Sequence, residues 1–385
     1  LVWEGIRMKL ESIELTNFRN IRSLRLKADA GVNIIHGENA QGKTNLTEAI
    51  WMFTGAKSFR GAKDKEMIRF GETSCKSSIT FSSTMREQCA SIELFSSENV
   101  SPDRKLKHIE LNGITLESTS ELAGQFYAVV FSPSHLSLIR EGPAFRRKFL
   151  DTAISQILPR YEHYLHEYQR ILLQRNTLLK DVMRFPQLID TMDVWEEHLA
   201  RAAAAVAFCR ARYVSRIRPK TIEVYDGISS GKEKLDVFYQ CGLENPQDRT
   251  REELREFFLR ELQNTRKADI ERGSTLCGPH RDDLEILVND MPMRLYGSQG
   301  QQRSGVLALK MAECGMVEEV TSETPVVLLD DVMSELDAGR RDYLLNHLEK
   351  QQVFVTCCDE DSFRGLKSGK RFLIQSGELM DTQTY

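Results

Sequence analysis

A glycine-bearing loop near the start of the chain has the residue types and spacing that suit phosphate binding. Residues 37–44 fit the pattern G-x-x-x-x-G-K-[ST], between a predicted strand over 32–35 and a helix whose apolar face begins at Leu46. In this context the glycines let backbone amides wrap phosphates, Lys43 neutralises the terminal phosphates, and the Thr44 hydroxyl ligates Mg²⁺. The predicted nucleotide-binding residues are therefore Gly37, Glu38, Asn39, Ala40, Gln41, Gly42, Lys43, Thr44 and Asn45.

An apolar run far downstream ends in two carboxylates. Residues 326–331 read Val-Val-Leu-Leu-Asp-Asp, as expected of a buried strand followed by acids. On a parallel strand beside the loop strand, Asp330 would emerge where Mg²⁺ binds, and Asp331 would face the attacking water as general base or water-orienting group. Taken alone, the run equally suits an ordinary core strand, but the phosphate loop favours chemistry. The candidate catalytic residues are Lys43, Asp330 and Asp331, and the candidate Mg²⁺ ligands are Thr44 and Asp330.

A serine and a glycine open a predicted helix about 30 residues before Asp330. Residues 298–303 read Ser-Gln-Gly-Gln-Gln-Arg, and an apolar helical run follows from Val306. A hydroxyl and free amides at a helix start form an anion site. Because the phosphates bound to one chain are already enclosed by its own loop, a second anion site indicates a second molecule. The alternative is that Ser298 merely caps a helix.

These elements, with the Ser-Glu-Leu-Asp string over 334–337, resemble the motif set of the ABC ATPases. In that family two heads sandwich two ATP molecules, and the phosphate loop of one head faces the signature of the other. The resemblance implies an ATP-dependent homodimer whose hydrolysis and dissociation are linked, because cleaving the γ-phosphate removes a bridge between subunits. It assigns a signature acting in trans to Ser298, Gln299, Gly300 and Gln301, and a D-loop to Ser334 and Asp337.

Further strings over 15–20, 146–151 and 278–283, taken with the phosphate loop and the signature, resemble the RecF family, relatives of the structural-maintenance-of-chromosomes heads. The resemblance covers nearly the whole chain from Met8. It implies a cytoplasmic protein that binds DNA at gaps or at junctions of single strands with duplex. It also implies action with RecR and RecO, and help in loading RecA during repair and the damage response.

Three positions depart from the usual ABC pattern. Asp331 stands where a glutamate is usual, and its carboxylate is one methylene shorter, so we expect slow hydrolysis. The RecF resemblance implies that this hydrolysis depends on DNA. The histidine expected after the next strand is missing, and Thr356 is the candidate to replace it. Gln125 is the candidate for the glutamine that usually ends another strand, although it precedes the strand here.

The composition is that of an ordinary folded chain without a membrane partner. The 385 residues are 41% hydrophobic and 28% charged, which suffices for one large or two modest cored domains. No stretch approaches the roughly 20 apolar residues that span a bilayer. Residues 1–7 resemble an upstream extension or a remnant. The 8 cysteines include no C-x-x-C pair, which makes a zinc site unlikely on spacing alone.

The predicted fold class is α/β, an ABC-type ATPase head in two lobes with an inserted short antiparallel helical arm. We assign residues 8–141 to the first part of the head, with the phosphate loop and a β-meander over about 70–131. Apolar spacings of three and four predict one helix from Leu150 to Leu172 and a second that ends at Pro219, so 142–219 form the arm. Residues 220–385 complete the head. Two core helices without coiled-coil character are the alternative for the arm.

Local basic groups offer the candidate contacts to DNA, since the formal net charge is −4 and the pI near 6.2. We favour the group formed by Lys57, Arg60, Lys63 and Lys65, close to the phosphate-loop helix, over groups at 140–148 and 210–220. A solvated face is the alternative for each group. His280, beside acids at 282–283, lacks ligand-like spacing and is interpreted as a buttressing turn.

Two other functions share the ATP motifs. The nucleotide-binding subunit of an ABC transporter is disfavoured by the missing histidine, the helical insert and the β-rich opening. A structural DNA tether is disfavoured because such proteins carry arms of hundreds of residues, whereas this insert has about 70.

Overall fold

The computed structural model describes residues 8–84, 86–97, 105–182, 184–358 and 369–384. Residues 1–7 and Asp359, which follows the cysteine pair 357–358, lie outside the described residues. Within the described ranges the strands, numbered along the chain, are β1 (Lys9–Phe18), β2 (Ile21–Lys27), β3 (Val32–His36), β4 (Ser74–Ser82), β5 (Glu87–Phe95), β6 (Lys107–Leu111), β7 (Ile114–Leu116), β8 (Ala128–Phe131), β9 (Leu235–Gln240), β10 (Asp283–Val288), β11 (Met291–Pro292), β12 (Val326–Asp330), β13 (Val353–Cys357), β14 (Lys370–Gln375) and β15 (Glu378–Thr384). The helices are α1 (Lys43–Met52), α2 (Ser137–Arg140), α3 (Pro143–Ile157), α4 (Arg160–Asp181), α5 (Met192–Ser229), α6 (Arg251–Arg272), α7 (Met293–Tyr296), α8 (Gln299–Thr321) and α9 (Ala338–His347).

The chain divides into two compact units, Leu1–His135 with Lys310–Tyr385, and Leu136–Leu309. The first unit is therefore made of two sequence segments, and α8 begins in the second unit and ends in the first. The predicted boundaries differ from this division, because residues 220–309 join the helical insert. The reason is long-range pairing: β9 pairs with β10 along its whole length, and Arg255 of α6 binds Glu197 of α5 at 2.8 Å.

A mainly parallel sheet in the first unit carries the phosphate loop. Its strand order is β15-β14-β3-β13-β12-β8, and only β15 is antiparallel to its neighbour. Every residue of β12 and β13 is buried, as expected of strands covered on both faces. The prediction that β12 lies beside β3 is wrong, because β13 is inserted between them. Asp330 nevertheless emerges at the same sheet edge as the phosphate loop, since these strands are parallel.

An antiparallel sheet, β2-β1-β4-β5-β6-β7, completes the first unit. The spacing of three between Leu10 and Ile13 has a simple cause: a register shift between Leu10 and Ser12 adds one residue to β1. A hairpin with its turn at Asn112-Gly113 joins β6 to β7. The segment 126–131 does not belong to this meander as predicted, because β8 pairs with β12 in the parallel sheet.

The second unit is built around α5, which packs against α4 and α6. The predicted single helix from Leu150 to Leu172 is two helices, α3 and α4, because the residue before Pro159 is disfavoured in helical conformation and Leu158 adopts φ −136° and ψ 81°. Nor does the following helix end at Pro219; it continues to Ser229 with the proline inside. Thr250 begins α6 with a capping box to Glu253.

A buried ion cluster ties the three helices together. Arg175 of α4 donates to Asp269 of α6 at 2.7 Å and to Glu196 of α5 at 3.0 Å. All three side chains are fully buried. The insert is thus a three-helix layer rather than a hairpin alone, because α6 from beyond the predicted arm completes it.

Candidate nucleotide site

The phosphate loop follows β3 and leads into α1, as its sequence pattern predicts. Three of its residues have positive φ: Gly37 at 146°, Ala40 at 63° and Gly42 at 117°. A Cβ atom at Gly37 would lie 2.2 Å from the Ile374 carbonyl oxygen, so only glycine fits there. No side chain caps the start of α1, whose N-terminal amides and dipole therefore suit an anion.

The Lys43 ammonium is held by its own loop. Its Nζ donates to the carbonyl oxygens of Gly37 at 2.7 Å and Glu38 at 2.8 Å, and lies 3.5 Å from Cys358 Sγ. Cys358 Sγ also lies 3.0 Å from Asn39 Oδ1. Only 4% of Lys43 is exposed. The charge is thus positioned where phosphate oxygens compete for it.

Three hydroxyl groups converge on one oxygen of Asp330. Thr44 Oγ1 donates to Asp330 Oδ1 at 2.9 Å, Thr356 Oγ1 at 3.0 Å, and Thr47 Oγ1 at 3.4 Å. Burial raises the pKa of Asp330, while the hydrogen bonds from Thr44 and Thr356 oppose that rise. The hydroxyl bonds therefore favour the ionised form of the buried carboxylate.

The Thr44 and Asp330 pair suits Mg²⁺ chemically. Both present hard oxygen donors, and Mg²⁺ ordinarily takes one or two protein oxygens and completes its shell with water and phosphate. In the part of the chain that the structure describes, His, Cys, Asp and Glu side chains form no group of three that could cage a metal.

Asp331 departs from the strand in a left-handed conformation, with φ 53°. Its backbone N–H donates to Thr356 Oγ1 at 2.9 Å, so the same hydroxyl bonds to both acids. Thr356 occupies the end of β13, where the usual histidine was expected. Sequence reasoning named it only as a substitute and did not predict that it holds the acid pair.

The predicted D-loop follows directly. Ser334 Oγ donates to the Asp331 carbonyl oxygen at 2.9 Å. Asp337 caps α9 by accepting from the Arg340 N–H at 3.0 Å, and its other oxygen binds the Arg340 guanidinium. Both residues thus have local structural roles beside the acid pair.

The signature residues lie in the second unit, at the start of α8. The Ser298 N–H donates to Gln301 Oε1 at 2.7 Å, and the Gln301 N–H donates to Ser298 Oγ at 3.2 Å. This capping box matches the simpler interpretation of Ser298 as a helix cap. Gln301 Nε2 in addition donates to Glu233 Oε1 at 2.9 Å, which fixes the signature to the segment after α5.

The candidate glutamine at 125 is not at this edge. Gln125 precedes β8, which is parallel to β12, so it lies at the opposite end of the sheet from Asp330. Ser132 and the following turn occupy the matching end instead. The glutamine assignment was therefore wrong for this position.

The candidate DNA-contacting residues differ in their environment. Lys57, Lys63 and Lys65 are exposed. Arg60 donates to Asn45 Oδ1 at 3.0 Å and lies 3.6 Å from the buried Glu48 carboxylate, so it anchors its loop to α1. Of the rival groups, Arg146 and Arg210 are buried in ion pairs with Asp283 and Asp151.

His280 belongs to a buried network of the second unit. The Tyr168 hydroxyl lies 2.5 Å from His280 Nδ1, and His280 Nε2 lies 3.1 Å from the Thr275 carbonyl oxygen. Burial lowers the pKa of His280 to about 4, so the ring is neutral, with Nε2–H donating to Thr275. Arg146 and Arg147 connect the strings over 146–151 and 278–283 through Asp283 and the Asp282 carbonyl oxygen.

Several residues of the site were missed because their pattern is not local. Asn20 contacts the phosphate loop from the turn between β1 and β2, and Ser376 and Gly377 contact it from the turn between β14 and β15. Asn20 lies in a string that was used for resemblance only. Nothing in the sequence singles out the other two.

A phosphate loop after one strand and an acid pair after another, on one parallel sheet, define the head of a P-loop ATPase. Among the described residues, no helix combines the length and apolarity that crossing a bilayer requires. A family model described as RecF/RecN/SMC N terminal domain matches residues 9–377.

Two individual relatives show which family of P-loop ATPases the chain belongs to. The chain is 38% identical over 375 residues to the DNA replication and repair protein RecF of Ruminiclostridium cellulolyticum, covering 97% of this chain and 99% of that one. RecF of Clostridioides difficile is 38% identical over 379 residues, with 98% and 99% covered. The chain belongs to the RecF family of ABC-type ATPases.

Solved structures agree with this assignment. The structure of the recombination mediator protein RecF-ATPrS in the RecFOR pathway superposes with a TM-score of 0.89 at 36% identity, and 98% of each chain is covered. An Smc head domain from Pyrococcus furiosus gives a TM-score of 0.55 at 17% identity, covering 98% of this chain and 96% of that one, which shows a shared fold alone. The predicted α/β ABC-head fold is confirmed.

Proposed function

We propose that this chain is an ATP-dependent, DNA-binding ATPase of the RecF type, whose two nucleotide sites are completed when two copies meet. The observation that carries the proposal is the Thr44–Asp330 contact beside Lys43, which groups a cation, a hydroxyl and a carboxylate at the mouth of the phosphate loop. The ATP and ATPrS forms of the RecF relatives support ATP as the nucleotide.

In this proposal, Lys43 leaves the Gly37 and Glu38 carbonyl oxygens and binds the terminal phosphates of ATP. Thr44 and Asp330 hold Mg²⁺, which supplies charge neutralisation across the phosphates. Asp331 aligns or deprotonates the attacking water, and Thr356 fixes the backbone from which Asp331 extends. The shorter Asp331 side chain reaches less far than a glutamate would, so turnover is slow.

The second half of each site comes from a second copy. Ser298 and Gly300 bind the γ-phosphate held by the partner's loop, with Gln301 keeping the helix start in place through its bonds to Ser298 and Glu233. Cleaving the γ-phosphate removes the bridge, so hydrolysis releases the dimer and its DNA.

The DNA-binding surface in this proposal is formed by the exposed Lys57, Lys63 and Lys65. Gapped DNA and single-strand to duplex junctions are the proposed substrates. RecR and RecO are the proposed partners, supported by the naming of the RecF relative as a mediator in the RecFOR pathway. Help in loading RecA, and action in the cytoplasm where bacterial chromosomal DNA lies, complete the proposal.

The test is nucleotide-dependent binding of a gapped duplex, followed by fluorescence anisotropy, with ATP hydrolysis measured in parallel. We expect MgATP to tighten DNA binding and DNA to stimulate hydrolysis, and Lys43→Ala to lose both effects. Replacing Lys57, Lys63 and Lys65 together by alanine should flatten the salt dependence of binding by about one unit of log–log slope for each lost phosphate contact. DNA binding that ignores nucleotide and survives Lys43→Ala would refute the proposal.

A further inference from the structure

The phosphate loop is held from outside by an unbroken chain of hydrogen bonds. Arg60 Nη1 donates to Asn45 Oδ1 at 3.0 Å, and Asn45 Nδ2 donates to Asn20 Oδ1 at 2.7 Å. Asn20 Nδ2 in turn donates to the Ala40 carbonyl oxygen at 3.1 Å. This series of hydrogen bonds begins at Arg60, which follows α1, passes through Asn45 in the first turn of α1, and ends at Ala40 of the phosphate loop.

The direction of this chain is fixed by its two ends. A guanidinium only donates and a backbone carbonyl only accepts. Asn45 must therefore turn its oxygen toward Arg60 and its nitrogen toward Asn20, and Asn20 must turn its nitrogen toward Ala40. Reversing either side-chain amide would break at least one bond, so a single orientation of both amides satisfies all three.

The bond to Ala40 controls a constrained part of the loop. Ala40 has φ 63°, in the left-handed region that disfavours a residue with a Cβ. A Cβ atom at Gly42 would lie 2.9 Å from Asn20 Oδ1, so the loop passes in contact with Asn20. The asparagine thus supports both a strained residue and its close neighbour.

Because peptide bonds are planar, the hydrogen bond to Ala40 also orients the next residue, Gln41. Because the Ala40–Gln41 peptide is trans and planar, a fixed Ala40 carbonyl directs the Gln41 N–H away from Asn20. Two further hydrogen bonds, from the turn between β14 and β15, hold Gln41 in place. Its carbonyl oxygen accepts from the Gly377 N–H at 2.9 Å, and its Oε1 accepts from the Ser376 N–H at 2.5 Å.

We propose that Asn20 is a positioning residue of the nucleotide site. Arg60 orients Asn20 through Asn45, and Asn20 directs the backbone N–H of Gln41 toward a bound phosphate. The inference rests on the proposed ATP function. It assigns a nucleotide-binding consequence to a side chain that touches the loop backbone from outside.

Two isosteric variants test the direction of the chain. Asn20→Asp still accepts from Asn45 but has no donor for the Ala40 carbonyl. Asn45→Asp still accepts from Arg60 but has no donor for Asn20, whose amide then turns its oxygen toward Ala40. We expect each variant to weaken binding of a fluorescent MgADP analogue about tenfold, as for the loss of one well-placed hydrogen bond.

Asn112→Asp is the matched control. Asn112 is an exposed turn asparagine of the antiparallel sheet, and its side chain also accepts one bond, from the Cys89 N–H at 2.9 Å, and donates one, to Gln88 Oε1 at 3.2 Å. We expect Asn112→Asp to lower the melting temperature without changing MgADP affinity. Melting temperature is measured for all variants, so that loss of fold is separated from loss of binding.

The outcomes separate this inference from the proposed function. A parent chain that binds no MgADP would refute the nucleotide site itself. If the parent binds and both aspartate variants stay within about twofold of it, the positioning role is wrong while the ATP function stands.

Discussion

Thr44 Oγ1 and Asp330 Oδ1 lie 2.9 Å apart although 286 residues separate them in the chain. Thr356 of β13 donates to the same carboxylate oxygen, so the first turn of α1 and the ends of β12 and β13 meet at one point. The proposed nucleotide chemistry depends on this contact, because it places the hydroxyl of one motif and the carboxylate of another where one Mg²⁺ ion would bind both.

Asp330 and Asp331 should therefore have separable roles. Asp330→Asn keeps an oxygen for the Thr44 hydroxyl but removes the charge, so we expect MgATP affinity to lose its dependence on Mg²⁺ and hydrolysis to fall at least about 100-fold. Asp331→Asn should lose hydrolysis equally while keeping Mg²⁺-dependent affinity. Binding titrations with and without Mg²⁺ distinguish them, and identical behaviour of the two variants would contradict the assignment.

Cys358 offers a probe of the phosphate loop that needs no substitution. Its sulfur lies 3.5 Å from Lys43 Nζ and 3.0 Å from Asn39 Oδ1, so bound phosphates should shield it. We expect MgATP to slow the alkylation of Cys358 by N-ethylmaleimide at least about tenfold, as measured by peptide mass spectrometry. The degree of protection should follow the fraction of sites that are occupied by nucleotide. Exposed Cys89, on the antiparallel sheet, is the internal control and should react at the same rate with and without nucleotide. Equal labelling of Cys358 in both conditions would count against the site.

The buried network of the second unit predicts two opposed responses to pH. Burial lowers the pKa of His280 to about 4, so stability falls as pH drops from 6.5 toward 4, because only the unfolded chain takes up that proton. Burial also raises the pKa of Asp282 to about 6, against the hydrogen bond from Tyr239, so stability rises as pH drops from 6 toward 4.

Single variants separate the two responses. We expect His280→Gln to gain stability and Asp282→Asn to lose it as pH is lowered from 6 to 4, each by up to about 1.4 kcal/mol per pH unit, while the parent changes less than either. Urea unfolding at intervals across this range provides the measurement. Slopes of the opposite sign would show that these two groups are not neutralised as described.

The buried Arg175 side chain stabilises the layer formed by α4, α5 and α6. Arg175→Met leaves the buried Asp269 without its 2.7 Å partner, whereas Glu196 retains Arg266 at 3.0 Å. We expect a loss of about 3–5 kcal/mol in the free energy of unfolding. Arg170→Met, at an exposed position of the same helix, should stay within about 0.5 kcal/mol of the parent. A small effect at Arg175 would mean that the cluster relaxes or hydrates without its cation.

Local chemistry decided which parts of this molecule could be predicted. The phosphate loop, the acidic strand end and the cap at Ser298 follow from residue types at fixed short spacings, and the structure places each of these elements on the predicted type of local structure. Strand order does not follow from such patterns. Pairing of β13 between β3 and β12 is settled by packing between distant segments, which leaves no periodic signal in any one of them.

The same limit explains the supporting residues. Asn20 and Ser376 act through contacts with the loop across 20 and 335 residues of chain, and neither stands in a pattern with a chemical meaning of its own. The helix break at Pro159 was missed for another reason: apolar residues keep the helical rhythm on both sides of it, so periodicity outweighed the conformational restriction on Leu158.

The central claim is that each nucleotide site is shared by two copies of the chain, and complementation between inactive variants tests it most directly. Lys43→Ala removes the phosphate-binding lysine, and Ser298→Arg blocks the signature that serves the partner. Each variant alone should neither hydrolyse ATP nor dimerise with MgATP in light scattering. Mixed in equal amounts, they should dimerise with MgATP and recover up to about half of the parent's rate, because only mixed dimers form and each holds one intact composite site of two. A mixture as inactive as its components, or a Ser298→Arg chain that hydrolyses ATP normally as a monomer, would contradict the shared site.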